Sequence, residues 1–350
     1  MSTSLRRGLA LTIAIFASSR KKSLALSRLS LSERSELHLH LGKIGMSCTK
    51  PLPAFQSLCP ITGLKSVSLK KIAGREPNLQ LPCNKCPSCK LRKAKEWALR
   101  CWHESQMHEQ NAYVTLTYSD ENLPPYENLD HRDFQLFIKR FRAKYPERKI
   151  KYFMCGEYGD KTHRPHYHVI MFGYYPPDPV YHRTENGHRY YKSKELDAFW
   201  KNGFTDTSSV SYYSAGYVAR YALKKQLPHE QLQDRYTYHD HEGTSHIRTF
   251  EYVRMSTGRA KYDAIGASWF REYAAQTVMN DFVLDPNGNQ CPVPKYYLSI
   301  LKYDDPNWFD RIAKLRVEKA QADPDNTPER LAQKAICTNA RLKQLPRPYL

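Results

Sequence analysis

Two histidines separated by one residue stand near the middle of the chain, in the run Arg-Pro-His-Tyr-His-Val-Ile-Met-Phe at 164–172. The branched and aromatic side chains after the proline predict a strand from His166 to Phe172. Because residues two apart in a strand point to the same side, His166 and His168 share one face, and Tyr167 lies on the other. Two imidazoles held side by side form half of a metal site, which needs further ligands.

The missing ligand is predicted from the strand that comes just before. Residues 150–157 also read as a strand, and only a short turn separates them from the histidines. Strands joined by so short a turn pair as an antiparallel hairpin, which brings Glu157 level with His166. A His-x-His pair with one carboxylate leaves coordination positions open and suits Mg²⁺ or Mn²⁺ in phosphate chemistry. We therefore predict Glu157, His166 and His168 as metal ligands.

A helix rich in Ala and Leu is predicted at 214–225, where Tyr217 and Tyr221 share one face and Lys224 lies one turn beyond. A tyrosine with a pKa of ~10 is a poor nucleophile near neutral pH. A metal that polarises a phosphate would let a positioned tyrosine attack it, which leaves a phosphotyrosine link and a free 3′ hydroxyl. The alternative is that these tyrosines only pack their helix; the histidine pair upstream favours the catalytic interpretation.

The charge of the chain indicates a polyanionic partner. Lysine and arginine outnumber the acids 54 to 35, which gives a formal net charge of +19. Such a balance is typical of nucleic-acid-binding proteins, although ribosomal and membrane-surface proteins share it. No Walker-type glycine loop is present, which argues against a fused helicase. The candidate DNA contacts lie on a predicted helix at 90–108 and near the tyrosines: Lys90, Arg92, Lys93, Arg100, Arg220 and Lys225.

Three of the nine cysteines form the pattern Cys83-x-x-Cys86-x-x-Cys89. This spacing suits metal binding or reduced thiols better than a secreted disulfide framework, so we expect a reducing, cytosolic compartment. A fourth ligand from Cys48, Cys59 or Cys101 would complete a structural zinc site, and we name Cys48 as the candidate. The alternative is a group of plain buried thiols.

Other elements must hold these groups in place. A strand is predicted at 113–118, and Asp130 is predicted to cap an amphipathic helix with an aromatic core face. Short and long helices are predicted at 196–200 and 308–322, and the proline-bearing tail is expected to be extended or mobile. Two further histidine groups, at 38–40 and 239–246, lack strand context, and we do not assign them to a site.

With these motifs, the chain resembles the HUH endonucleases that start rolling-circle replication. Within that class it resembles the replication initiators of small single-stranded DNA phages of the gokushovirus type, in the Microviridae. The resemblance rests on three motifs, and it covers roughly residues 46–315. The three motifs are the strand at 114–118, His166-Tyr167-His168, and Tyr217-x-x-x-Tyr221-x-x-Lys224. Further stretches resemble the family as well: the cysteine pattern, Gly156-Glu157-Tyr158-Gly159, and Met255-Ser256 before Ile265-Gly266-x-x-Trp269.

The resemblance implies an α+β HUH fold: a central antiparallel sheet of the ferredoxin or RRM-like kind flanked by helices, with a cysteine-rich N-terminal segment and a helical C-terminal extension. It divides the chain into a poorly ordered extension at 1–45, a cysteine-rich basic segment and helix at 46–110, a nicking domain at 111–226, and an accessory region with a mobile tail at 227–350. Residues 1–45 have a charged-then-apolar start like a targeting peptide, but we expect an upstream extension with Met46 as the natural start.

The resemblance also implies the activity. Such initiators nick one strand of a circular origin DNA, remain joined to its 5′ end, and later rejoin the displaced strand, with two tyrosines acting in turn. The implied partners are single-stranded and supercoiled origin DNA, host polymerase and helicase, in the cytoplasm of a bacterial host, and no membrane. Two positions depart from the family pattern: Arg220, where lysine is common, and the stretch at 257–264.

Two other functions fit part of the sequence. A zinc-dependent, non-enzymatic nucleic-acid-binding protein would use only the cysteines and the basic helix. An HUH transposase or relaxase would share the metal motif and the chemistry. A His-x-His-x-His nucleotide hydrolase is disfavoured, because Ile170 stands where a third histidine would be needed.

Overall fold

The computed structural model describes residues 48–61, 65–71, 73–159, 162–185, 187–224, 236–258, 262–279 and 281–343, without the side chains at 65, 221–224, 278–279, 321 and 343. The predicted N-terminal extension and its histidine pair therefore lie outside the described residues. The strands are β1 (Leu52–Leu58), β2 (Lys65–Ser68), β3 (Leu79–Leu81), β4 (Asn111–Tyr118), β5 (Lys151–Tyr158), β6 (Pro165–Phe172), β7 (Val180–Glu185), β8 (His188–Lys192), β9 (Gly203–Ser209), β10 (Thr237–His239), β11 (Ser245–Ile247), β12 (Tyr252–Met255), β13 (Phe282–Leu284) and β14 (Gln290–Pro292). The helices are α1 (Pro87–Gln106), α2 (His131–Lys144), α3 (Lys194–Phe199), α4 (Tyr212–Lys224), α5 (Ala267–Met279), α6 (Lys295–Asp304), α7 (Pro306–Ala322) and α8 (Pro328–Lys343).

Seven strands form the main sheet, in the order β12-β5-β6-β4-β9-β8-β7, and each neighbouring pair is antiparallel. The histidine strand β6 lies between β5 and β4, as predicted. The α+β class with a central antiparallel sheet, a cysteine-rich N-terminal region and flanking helices is therefore confirmed. Within the described part of the chain, no helix has the length and apolar content that a membrane crossing requires.

One face of the sheet packs against α2 and α3 through an aromatic core. Asp130 caps α2 by accepting from the Arg132 N–H at 2.7 Å, as the sequence predicts. Tyr167 points to this face, is fully buried, and donates its hydroxyl hydrogen to the Asp130 carbonyl at 2.6 Å. The predicted core residues of α2 are all buried here: Phe134, Phe137, Ile138 and Phe141.

The other face packs against α4, which in turn packs against α1. The contact is made of small residues, since the position a Cβ would take on Gly216 lies only 3.9 Å from the Ala98 Cβ. Ala215, Val218 and Ala219 of α4 are buried against the sheet. Small side chains let two helices and the sheet approach closely, and this fixes α4 over the histidine strand.

Three cationic side chains of α1 are buried, contrary to the expectation that its charges face solvent. Lys90, Lys95 and Arg100 are 8, 7 and 6% exposed. The Arg100 guanidinium lies 4.0 Å from the Trp97 ring centre and donates from Nε to the Ile265 carbonyl at 3.1 Å. Helices from the C-terminal region cover this side of α1, which its own sequence pattern does not show.

The C-terminal region differs from the prediction in two ways. Residues 328–343 form α8, whereas the proline-bearing tail was expected to be partly extended or mobile. The helix is possible because Pro328 occupies its first turn, where proline is compatible with a helix. Strand β12 pairs with β5, with Tyr252 opposite Gly156. Residues beyond 226 thus complete the sheet that carries the histidines.

Candidate active site

The hairpin of β5 and β6 brings the three predicted metal ligands together. Glu157 lies directly opposite His166 in the antiparallel register, and His168 is two residues further along the same face. The Nε2 atoms of His166 and His168 lie 2.8 and 3.0 Å from Glu157 Oε1. The candidate ligand atoms all lie within 4.8 Å of one another.

The far side of each imidazole is also held. His166 Nδ1 lies 3.1 Å from the Arg164 carbonyl, and a carbonyl only accepts, so Nδ1 carries a proton, and Nε2 faces Glu157. His168 Nδ1 lies 2.7 Å from the Tyr113 hydroxyl and 3.1 Å from Thr115 Oγ1. Such outer partners fix the ring orientation and tautomer of a metal-binding histidine.

Tyr113 and Thr115 were missed as site residues at the sequence level. They belong to β4, whose register places Thr115 opposite His168. The predicted strand places Tyr113 and Thr115 on one of its faces, but which side of the sheet that face occupies depends on the pairing of β4 with β6. That pairing joins segments about 50 residues apart, and nothing local specifies it.

Glu157 is a buried carboxylate that stays charged. It is 2% exposed, and burial alone would raise its pKa. The charge of His168 and the hydrogen bond from His166 outweigh burial and hold the pKa of Glu157 at about 2. Burial opposes a charge on His166 as well, but the hydrogen bond to Glu157 raises the pKa of that imidazole.

These residues fit a divalent cation. Two imidazole Nε2 atoms converge on one carboxylate oxygen, and Glu157 Oε2 is buried without a hydrogen-bond partner among the described residues. A cation between them would satisfy that oxygen, and three ligands leave further positions for a phosphate and water.

Tyr217 is brought to this group by α4. Its hydroxyl lies 3.5 Å from Glu157 Oε1, and its ring meets the His168 ring edge to face with centres 5.2 Å apart. The tyrosine is partly exposed, while its neighbours Val218 and Ala219 are buried against the sheet. The phenol therefore sits where the metal ligands meet solvent.

The rest of the predicted tyrosine motif is only partly described. The backbone of Tyr221 and Lys224 continues α4, so Tyr221 follows Tyr217 by about one helical turn. Their side chains, and Lys225 altogether, lie outside the described residues. The Arg220 guanidinium carbon lies 5.9 Å from the Tyr217 ring centre.

A segment C-terminal to α4, at residues 248–251, contacts the turn end of the β5–β6 hairpin. Glu251 is fully buried, and its carboxylate accepts from the Tyr158 N–H and the Tyr236 hydroxyl, both at 3.3 Å. The Arg248 guanidinium carbon lies 4.4 Å from the Tyr158 ring centre, and Arg248 donates to the His163 carbonyl at 3.4 Å. No local pattern in the sequence marks these residues, since their partners on the hairpin lie about 90 positions earlier.

The face that carries His166 continues across β9, β8 and β7. Thr117 is opposite both His166 and Phe204, so these side chains share that face. Phe204 is 59% exposed. Lys192 Nζ lies 6.0 Å from the Phe204 ring centre. Arg183 and Lys192 both contact Asp206, at 2.7 and 3.1 Å. We call Arg183, Lys192 and Phe204 the β7–β9 platform.

A second group of potential ligands lies at the start of α1. The Sγ atoms of Cys48, Cys83, Cys86 and Cys89 lie within 4.8 Å of one another. Of the three candidates for the fourth position, Cys48 is therefore the one in place, whereas Cys101 is buried in the core between α1 and the sheet. His246 Nε2 lies 2.8 Å from Asp240 Oδ2, and its ring stacks on Tyr126; among the described residues these side chains do not form a group with metal-ligand spacing.

Comparison with known proteins places these features in a family. Residues 111–226 match the family model for replication-associated proteins of the ORF2 class. The chain is 38% identical over 285 residues to replication-associated protein VP4 of Bdellovibrio phage phiMH2K, which covers 79% of this chain and 84% of that protein. It is 34% identical over 235 residues to replication-associated protein ORF2 of Spiroplasma virus 4, an alignment that covers 63% of this chain and 67% of that protein. Replication-associated protein ORF4 of Chlamydia phage 1 is 30% identical over 234 residues, which is 63% of this chain and 53% of that protein. No solved structure matches the chain.

Proposed function

The chain belongs to the family of phage replication-associated proteins, and from that premise we propose that it starts rolling-circle replication by nicking one strand of origin DNA with a tyrosine. One observation carries the proposal: the Tyr217 hydroxyl and the Nε2 atoms of His166 and His168 all meet at Glu157 Oε1. A structural role alone would not require a partly exposed phenol at a buried carboxylate flanked by two imidazoles.

The ligand set defines the work of each residue. A Mg²⁺ or Mn²⁺ ion held by His166, His168 and Glu157 would polarise the scissile phosphate and offset its charge. Tyr113 and Thr115 hold the His168 ring so that Nε2 points at this position, and the Arg164 carbonyl does the same for His166. Glu157 also accepts from the Tyr217 hydroxyl, which keeps that oxygen near the phosphate.

The nicking step forms one bond and breaks one. The Tyr217 oxygen gives up its proton and bonds to phosphorus, and the bond from phosphorus to the 3′ oxygen breaks. That oxygen takes a proton and becomes a free 3′ hydroxyl, while the 5′ phosphate stays on the tyrosine. In our proposal Tyr221 makes the same attack when the origin is regenerated, and the first phosphotyrosine is resolved by a 3′ hydroxyl, which closes the circle. Lys224, one turn beyond, is proposed to balance phosphate charge.

The DNA path is proposed to run over the β7–β9 platform. An exposed aromatic ring with cationic side chains on the same face of the sheet suits a single strand, since bases stack on rings and phosphates contact cations. Arg92, Lys93, Arg220 and Lys225 remain proposed phosphate contacts. Lys90 and Arg100 are no longer proposed, because both are buried.

The nick defines the partners we propose. A free 3′ hydroxyl is the primer a host DNA polymerase extends, and a host helicase would open the duplex ahead of it. Both act in the cytoplasm of a bacterial cell, where we place this protein. Family membership favours a phage origin as the DNA over an insertion end or a conjugative origin.

The first experiment traps the covalent product. The full chain is incubated with Mg²⁺ or Mn²⁺ and a labelled single-stranded oligonucleotide from the phage origin, and the adduct is read on a denaturing gel and by mass spectrometry. We expect an adduct joined to the 5′ phosphate of the downstream fragment. The Tyr217→Phe/Tyr221→Phe double variant should lose it, and the single variants should show which tyrosine attacks first.

The control is Tyr213→Phe, which removes a partly exposed phenol from the same helix and should leave adduct formation unchanged. An adduct from the folded double variant would contradict the proposal. A wild-type chain that binds origin DNA but forms no adduct with any strand or metal would instead favour the non-enzymatic alternative.

A further inference from the structure

The four-cysteine group lies apart from the candidate active site and has a different chemistry. Cys48, Cys86 and Cys89 are 8, 5 and 3% exposed, and Cys83 is partly buried beside them. We propose that Cys48, Cys83, Cys86 and Cys89 form a structural zinc site that fastens the β1–β3 sheet to the start of α1. This inference does not depend on the nicking function.

The spacing of the sulfurs fits tetrahedral zinc. A Zn–S bond of about 2.3 Å in a tetrahedron sets neighbouring sulfurs about 3.8 Å apart. Cys48 Sγ lies 3.5 Å from Cys83 Sγ and 3.9 Å from Cys86 Sγ. None of these four cysteines forms a disulfide in this structure, so disulfides do not explain the convergence.

The local fold brings each cysteine to one point. In the small sheet β2-β1-β3, Leu52 at the start of β1 pairs with Leu81 at the end of β3. Cys48 and Cys83 therefore leave the same end of that sheet. Cys86 is the N-cap residue of α1, and Cys89 lies in its first turn. The turn between Cys83 and Cys86 contains Asn84 at φ +57°, a left-handed conformation that asparagine tolerates.

Backbone amides and the helix stabilise negative sulfur here. The Cys83 and Cys86 N–H groups donate to Cys48 Sγ and Cys83 Sγ, both at 3.3 Å. Amide donors and the positive end of a helix dipole favour thiolates, which are the form that binds zinc.

The four sulfurs lie within 4.8 Å of one another. Four sulfurs packed this closely repel one another once ionised, and a divalent cation at their centre removes that repulsion.

The β1–β3 sheet needs such support because it has little core of its own. In β1 only Ala54 and Phe55 are buried, whereas the apolar side chains of Leu52, Leu58 and, in β2, Val67 are exposed. A small module that buries so little apolar surface depends on a metal or a cross-link for stability. A zinc ion at the base of the sheet would supply it and would also anchor the first turn of α1.

The test measures metal in the full chain, purified under reducing conditions without added metal. We expect about one zinc per chain by elemental analysis, and X-ray absorption should show about four sulfur neighbours at ~2.3 Å. The Cys48→Ser and Cys89→Ser variants should lose most of the zinc, whereas Cys337→Ser, at an exposed cysteine on α8, should keep it. A His166→Ala/His168→Ala variant should also keep it, which separates this site from the candidate active site.

Because a cysteine variant could simply fail to fold, wild-type protein is also titrated with a mercurial reagent while released zinc is followed with a coloured chelator. Release of zinc in step with modification of about four thiols supports the site, and protease should then cut within residues 48–86 first. Absence of zinc, iron in its place, nitrogen ligands in the absorption spectrum, or a disulfide among these cysteines would each overturn the proposal.

Discussion

The two groups of metal-ligand residues differ in almost every respect that decides what a metal does. The cysteine group offers four soft sulfurs, closes a tetrahedron and sits at the edge of a small sheet with little core. The Glu157 group offers two nitrogens and a carboxylate, leaves positions open, and sits on a central strand with a packed aromatic core behind it. A closed set of ligands suits a structural role, and an open set on a rigid scaffold suits chemistry.

The surroundings follow the same division. Three of the four sulfurs come from residues 83–89, and the Cys83 and Cys86 amides hold Cys48 Sγ and Cys83 Sγ, so most of that site is made by one short segment. The imidazoles are held by Tyr113 and Thr115 from a neighbouring strand, and Glu157 is approached by Tyr217 from a helix. The site proposed for catalysis thus depends on the whole sheet, and the proposed structural site does not.

The largest expected effect separates the two groups directly. His168→Ala should lower nicking at least about 100-fold, because loss of an outer partner alone costs 10- to 100-fold and this removes a ligand. Its thermal unfolding midpoint should change little. Cys89→Ser should do the reverse, with a lower unfolding midpoint and nicking within a few-fold once rates are normalised to folded protein. Single-turnover adduct formation and thermal unfolding measure both; the division of roles fails if one variant loses both properties.

A smaller effect is expected at the outer partner of His168. Tyr113→Phe removes the hydroxyl 2.7 Å from His168 Nδ1 and should weaken the metal dependence of nicking about 10- to 100-fold. The measurement is the concentration of Mn²⁺ that gives half-maximal adduct formation. Tyr191→Phe, on β8 and on the opposite face of the sheet, is the matched control. An unchanged Mn²⁺ requirement in Tyr113→Phe would mean that this hydroxyl does not position the imidazole.

The smallest effect concerns the far end of α1, which is held by charge. Glu104 is 1% exposed, contacts Lys151 Nζ and His108 Nε2 at 3.0 Å each, and accepts from the Gly266 N–H at 2.6 Å. Burial alone would raise its pKa, but these partners lower it below the ordinary value. Glu104→Gln should therefore cost about 1–3 kcal/mol of stability at neutral pH.

The pH dependence of that contribution has a definite sign. In the unfolded chain Glu104 takes up a proton near its ordinary pKa of about 4.3, whereas the folded carboxylate does so at lower pH. The stabilisation is complete above the ordinary pKa and is lost as the pH falls through the pKa that Glu104 has in the folded protein. Chemical unfolding between pH 7 and 3 should show a smaller acid loss in Glu104→Gln than in wild type, with exposed Glu109→Gln as the control. An equal loss of stability in acid in all three chains would mean that Glu104 does not contribute this pH-dependent stabilisation.

The sequence predicted what short spacings determine. The β5–β6 hairpin, the shared face of His166 and His168, and the aromatic core face of α2 all follow from residues within one hairpin or one helix. Contacts between distant segments were not predicted. The burial of Arg100, the support from Glu251 and the pairing of β12 with β5 each join residues about 90 or more positions apart.

The tail shows a second kind of failure. Its prolines were weighed as helix breakers, although Pro328 stands in the first turn of α8, where the missing amide is no loss. The buried Leu331 and Leu342 lie eleven positions apart, a spacing that a helix repeats on one side. Position within the helix, and not the presence of proline, decided the outcome.

The edge position of β12 has a consequence for how the protein is made. The ribosome releases β5 and β6 about 100 residues before Tyr252–Met255, the strand that covers the outer edge of β5. Until that strand arrives, the segment bearing Glu157 presents open backbone donors and acceptors to any other extended chain. A truncated product ending near residue 226 would carry every predicted catalytic side chain and still expose this edge, so we expect it to aggregate. Translation past Met255 is therefore expected to be a condition for a usable site.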